Sequence, residues 1–152
     1  MSEATIRTAI YNVVNGVSNV GKVYDYQRFN KELDVFFDLF KTTIAGVDQI
    51  RGWMIGYNGM DEPYELGTGA VIRPQKFTVY GVIRLNDELV SEKAAAALAE
   101  AICDALDADA TLHAYSNDAP AGIREFAYLP FGSVFCHWIE IGLTVTEQAT
   151  IA

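Results

Sequence analysis

The stretch from Gly132 to Glu147 has the period of a β-strand and is unusually long. Ile139, Ile141, Leu143 and Val145 alternate with Glu140, Gly142, Thr144 and Thr146. Successive strand residues point to opposite sides, so one face of this segment is apolar and the other polar. Its first part, Val134 to Trp138, is apolar on both faces. A strand of this kind requires a sheet, with a second layer over the apolar face.

The rest of the chain supplies that layer. Ile6, Ala9, Ile10, Val13 and Val14 recur at helical spacing after Ser2, a residue suited to cap a helix, and Asn15-Gly16 is read as its stop. A short strand is expected around Val20 to Tyr24. A second helix is expected from a cap at Asn30, with Leu33, Phe36, Phe37 and Phe40 as its stripe; Val35 and Leu39 widen that stripe, so this helix is to be buried on more than one side. Strands are read at Gln49 to Tyr57 and at Phe77 to Leu85. Between them, Asn58 to Gln75 reads as a long loop or hairpin arm, with weak strand character at Ala70 to Arg73. A third helix starts at Ser91, read as its cap, and runs through Leu98, Ile102 and Leu106 with an acidic outer face of Glu92, Glu100, Asp104 and Asp107. Thr111 to Tyr115 is read as a short strand and Ser116 to Gly122 as a loop. These elements predict one α+β domain over residues 1–152, with helices packed on one face of a mixed or mainly antiparallel sheet.

Charge excludes some roles. The chain carries a formal net charge of −9, whereas nucleic-acid affinity is dominated by Lys and Arg neutralising phosphates. Direct nucleic-acid binding and attachment to an anionic membrane are therefore not expected. No stretch approaches the roughly 20 apolar residues of a membrane span, and Met1-Ser2-Glu3-Ala4 has no signal-peptide pattern. The expectation is a protein made and kept in the cytoplasm, with Cys103 and Cys136 as buried thiols.

Catalytic and metal-binding constellations are not specific in this sequence. The two histidines are His113 and His137. Cys136 and His137 are adjacent on a strand and point to opposite faces, so they form no nucleophile pair, and His137 reads as a hydrogen-bonded structural residue. The order Cys103, His113, Cys136, His137 matches no zinc spacing. Asp61, Glu62 and Glu65 lack the alternation of a calcium loop. Gly67-Thr68-Gly69 has no following lysine in phosphate-loop register. Aromatic residues are prominent instead, with eight Phe, eight Tyr and two Trp. Tyr24, Tyr26, Tyr57, Tyr64, Phe126, Tyr128 and Phe131 fall near expected loops, where aromatics serve either core edges or interfaces.

The order of these elements, with Val20-Gly21-Lys22-Val23-Tyr24, Ile50-Arg51-Gly52-Trp53-Met54-Ile55, Phe77-Thr78-Val79-Tyr80-Gly81-Val82-Ile83 and Phe135-Cys136-His137-Trp138-Ile139-Glu140-Ile141, resembles the small tail-completion proteins of long-tailed bacteriophages and prophages, the tail-terminator or neck class. The resemblance extends over nearly the whole chain through a diffuse pattern of elements. It implies a structural virion component without catalytic residues or cofactors. Such a protein is assembled in the bacterial cytoplasm as a ring, commonly hexameric, that ends tail-tube growth and meets tube and head-completion proteins. Assembly contacts are then expected at Tyr57, Tyr64, Leu66 and Val71 in and beside the arm, and at Phe126, Tyr128 and Phe131. A differing class stays open: a small-molecule-binding domain or cofactor-free enzyme with an apolar pocket lined by Trp53, Tyr80 and Trp138, anchored by His137.

Overall fold

A computed structural model describes residues 2–112, 119–131 and 134–150. Helix α1 (Glu3–Asn15) is followed by β1 (Lys22–Tyr24), α2 (Leu33–Asp38), β2 (Lys41–Ile44), β3 (Val47–Met60), β4 (Tyr64–Leu66) and β5 (Ala70–Arg84). A one-turn 3-10 helix (Asp87–Leu89), α3 (Ser91–Ala108), β6 (Ala119–Phe131) and β7 (Val134–Thr150) complete the chain. The seven strands form one mixed sheet with the path β1-β3-β5-β7-β6, β2 pairing with β3 and β4 with β5. β1 runs parallel to β3, while β3–β5, β5–β7 and β6–β7 are antiparallel. The fold is α+β, the class expected from the sequence.

The frame is the β5–β7 ladder, which runs without a break from Ala70↔Thr150 to Arg84↔Cys136. Its period of two sorts side chains into two cores. On one face, Phe77, Val79 and Ile83 of β5 and Ile139, Ile141, Leu143 and Val145 of β7 pack with Trp53 and Ile55 of β3. Ile6, Ile10 and Val14 of α1 and Leu98, Ile102 and Leu106 of α3 cover them. On the other face, Met54, Val82 and Cys136 meet Phe36, Phe37 and Phe40. The helices therefore do not share one face: α1 and α3 lie on one side and the short α2 on the other. The reason is in its composition, because Phe36 and Phe37, with Phe40 just beyond the helix, supply enough apolar surface to seal a second, smaller core. Val35 is 39% exposed, so the widened stripe is only partly used.

Helix ends differ from expectation in instructive ways. Ser2 does cap α1, accepting a hydrogen bond from the Thr5 amide. Gly16 stops that helix with φ −81°, right-handed, so its left-handed freedom is not used. Asn30 accepts from the Glu32 amide, but α2 starts only at Leu33. Ser91 is not the cap of α3. Val90 holds that position, at φ 52° and ψ 49°, without a side-chain cap bond. Ser91 is freed to bond elsewhere, as described below.

Strand β6 is the main element that sequence reading missed. Part of it, Ala119 to Gly122, was expected to be loop, yet it pairs with β7 through Ala119↔Thr144 and Gly122↔Gly142. Irregular register around Ala119/Gly122 and Ile123/Glu125 breaks the alternation that would have signalled a strand. The strand expected at Thr111 to Tyr115 begins in turn structure at Thr111 and Leu112; its remainder, with His113 and Ser116, lies outside the described residues, as do Gly132 and Ser133.

Two glycines let large rings lie flat on the sheet. A Cβ on Gly81 would sit 2.4 Å from the Trp53 ring, its register partner across β3. A Cβ on Gly52 would overlap the Phe40 ring. The β2–β3 hairpin turns through Ala45 and Gly46, at φ 52° and 79°. Such a turn needs positive φ at both central residues, which favours Asn over Ala at the first. Ala45→Asn is expected to stabilise the protein by about 0.5–1 kcal/mol, seen as a higher urea midpoint with an unchanged slope. An unchanged or lower midpoint would show that Ala45 carries no strain.

Candidate interaction surface

The segment expected as a long loop or arm folds as strand and hairpin. β3 continues to Met60, β4 pairs with β5 through Tyr64↔Ile72 and Leu66↔Ala70, and β5 pairs on its other side with the end of β7. The ladder satisfies the arm's backbone, which lets it extend as sheet rather than as coil. Tyr57, Met60, Tyr64 and Leu66 are 37%, 41%, 47% and 42% exposed. Val71 pairs with Glu65 and Ala149 and is half-buried. At the base of the arm, the Tyr57 hydroxyl donates to Gln75 Oε1 at 2.5 Å, and Gln75 Nε2 donates to Glu147 Oε2 at 2.5 Å. Arg73 pairs with Glu147 at 3.6 Å. Burial, then Glu3 and Glu147, raise the Tyr57 pKa, so the hydroxyl stays a donor at neutral pH.

The remaining expected contact residues are separated by the pleat of β6. Phe126 packs against the larger core, and Phe131 stacks on Phe36 at 5.8 Å in the smaller one. Tyr128 alone of the three is well exposed, and its hydroxyl donates to Glu92 at 3.1 Å. Leu85, Leu89 and Val90, just before α3, and Leu129 and Phe135, at the β6–β7 end of the sheet, are also exposed. A further exposed aromatic, Phe29, stands before α2 beside Tyr26 and Arg28. The Arg28 guanidinium lies 4.8 Å from the Tyr24 ring and 5.2 Å from the Tyr26 ring. Sequence reading missed Phe29 because one Phe before a Phe-rich helix looks like more of the same stripe.

The pocket expected from Trp53, Tyr80, Trp138 and His137 does not form. Trp53 is fully buried in the larger core, donating from Nε1 to the Val20 carbonyl at 3.0 Å. Tyr80 and Trp138 pack together on the opposite face, 5.6 Å between ring centroids. The strand period, which places odd and even residues on opposite sides, keeps them apart. An open cleft of about 770 Å³ lies elsewhere, between the root of the β2–β3 hairpin and the start of α3. Lys41, Arg51 and Arg84 face it together with Asp48, Asp87 and Glu88, a mixture that selects neither anions nor cations.

Other titratable groups have structural settings. His137 is buried and its Nε2 lies 2.8 Å from Ser91 Oγ, in keeping with the hydrogen-bonded role expected of it. Cys136 belongs to the opposite core from Cys103, both thiols are free, and burial raises each to about 11. Glu140 opposes Glu125 across β6 and β7, and burial and then that hydrogen-bonded neighbour raise its pKa. Among the described residues, no group of three His, Cys, Asp or Glu side chains converges as a metal site. No helix among them is long and apolar enough to cross a membrane.

Comparison with protein-family models finds no match, and comparison with curated proteins finds none either. The geometry of the surface and the resemblance described above are what bear on function.

Proposed function

We propose that this chain is a structural component of a phage or prophage virion, a tail terminator or head–tail connector. In this reading copies of the chain form a ring, commonly of six, that ends growth of the tail tube and supports joining of the head. Its partners are other copies of itself and the tube and head-completion proteins. The observation that carries the reading is the hairpin arm, a strand-paired extension that presents Tyr57, Met60, Tyr64 and Leu66 outward. Exposed aromatics on a rigid element bind with little ordering cost. A closed ring needs one patch to meet a different patch on the neighbour, and the arm and the Tyr128 corner are two such patches.

Light scattering with negative-stain imaging tests this directly. A closed ring is the expected result, and a strict monomer or dimer at every concentration counts against a preformed ring. Each copy carries −9, so long-range repulsion opposes assembly. Association should therefore strengthen as salt shortens the screening length to about 8 Å. Tyr64→Glu with Leu66→Glu should lower the assembled mass while the chain stays folded by circular dichroism, because both side chains are exposed. Intact assembly in that double variant would remove the arm from the interface.

A further inference from the structure

We propose that His137 and Ser91 form an acid-sensitive latch that fastens the start of α3 and strand β6 to the sheet. His137 is 1% exposed, and Ser91 Oγ, 2.8 Å from its Nε2, also accepts the Asn86 amide at 2.9 Å. One serine thus joins the sheet, the turn before α3 and the helix itself. The rings of Tyr128 and Phe126 on β6 close over the imidazole at 5.1 and 5.9 Å. Beside the latch, Val90 is held in the left-handed region at φ 52°, a conformation a β-branched residue leaves when it is released.

The imidazole is set up to be neutral. Nδ1 has no partner among the described residues. The tautomer protonated on Nε2 donates to Ser91 and leaves only an acceptor unpaired. Protonating Nδ1 as well would create a buried donor without an acceptor, along with a desolvated charge. Burial lowers the His137 pKa, and the Glu92 carboxylate partly opposes this. From α3, Glu92 faces the site; from β6, the Tyr128 hydroxyl does so, itself bonded to Glu92. Asp87, Glu88 and Arg84 line the cleft that Ser91 borders, with Arg84 acting on Cys136 across the sheet. From β5 the register partner is the apolar Ile83. Glu140, on β7 itself, is three residues along and so points to the other face.

The sign follows from linkage. His137 is depressed in the closed state and has an ordinary pKa near 6.5 once opened. The open state binds the proton more tightly, so the latch is fully closed above about pH 6.5. Opening then rises about tenfold per pH unit below that, until the closed-state pKa is reached.

Amide hydrogen exchange of the full chain between pH 8 and pH 5, expressed as protection factors, tests the latch. The first turns of α3 and Phe126–Leu129 should lose protection at that slope while α1 and β3 keep theirs. His137→Gln should abolish the pH dependence in those segments. Glu92→Gln, at an exposed position that does not threaten folding, should leave the onset in place and carry the slope to lower pH, because Glu92 raises only the closed-state pKa. Protection that stays constant, or that falls equally in α1 and β3, overturns the proposal. So does a slope that ends at higher pH in Glu92→Gln.

Discussion

Replacing Trp53 by alanine should cost about 3–5 kcal/mol, the range for deleting a fully buried aromatic side chain. A domain of this size shifts by about 2–4 °C per kcal/mol, so Tm should fall by roughly 6–20 °C. The ring is completely buried where α1, α3 and three strands meet, and it lies over Gly81. Its indole N–H donates to the Val20 carbonyl, tying the segment before β1 to the sheet. Alanine removes that donor as well as the ring, leaving an acceptor in a cavity that the surrounding strands cannot close. Trp53→Phe should cost clearly less, since it keeps most of the packing and loses the hydrogen bond. Thermal melts of both variants decide the matter. A loss below about 1 kcal/mol for the alanine variant would mean that the core collapses around the gap.

Gly52→Ala should be nearly as damaging for the opposite reason. The new methyl would overlap the Phe40 ring, which is itself fully buried between Tyr24 and Phe36 at 5.9 and 5.1 Å. Overpacking of this kind costs about 1–3 kcal/mol and sometimes more. Phe40 is fully buried, so the upper part of that range is expected. Gly67→Ala serves as control, because nothing lies within 4 Å of its Cβ position; its effect should stay within about 0.5 kcal/mol. Phe40→Leu alone is destabilising, yet combined with Gly52→Ala it should recover part of the loss. Urea denaturation of the four proteins in the cycle should give a favourable coupling of more than about 1 kcal/mol. Additive losses would show that Gly52 is required by the β3 backbone and not by the ring.

These two sites show where local sequence information ends. Trp53 and Phe40 are recognisable as core residues from their apolar surroundings. That each needs a glycine opposite is not, because Gly81 is supplied by another strand and the Phe40 ring reaches Gly52 from beyond a different element. The same limit governs the candidate surface. Length, turn residues and the apolar pattern mark an arm between Asn58 and Gln75. Which aromatics face outward depends on the pleat and on the second core, so Phe126 and Phe131 pack inward while Tyr128 stays exposed.

Periodicity by itself determined the α+β class, helices α1 and α3, the long β7 and the division of Cys136 from His137, because burial of one face imposes a period of 3.6 or 2 on any chain. Only the tertiary structure decided the rest. β6 is a strand because β7 offers it a ladder, despite a bulged register that hides the alternation. α2 moved to the opposite face because its phenylalanines found Met54, Val82 and Cys136 there. Ser91 gave up the cap that its position suggested for a buried histidine that is remote in sequence and adjacent in space. The last two are contacts between distant segments, and their free energy outweighs a local preference of about 1 kcal/mol or less.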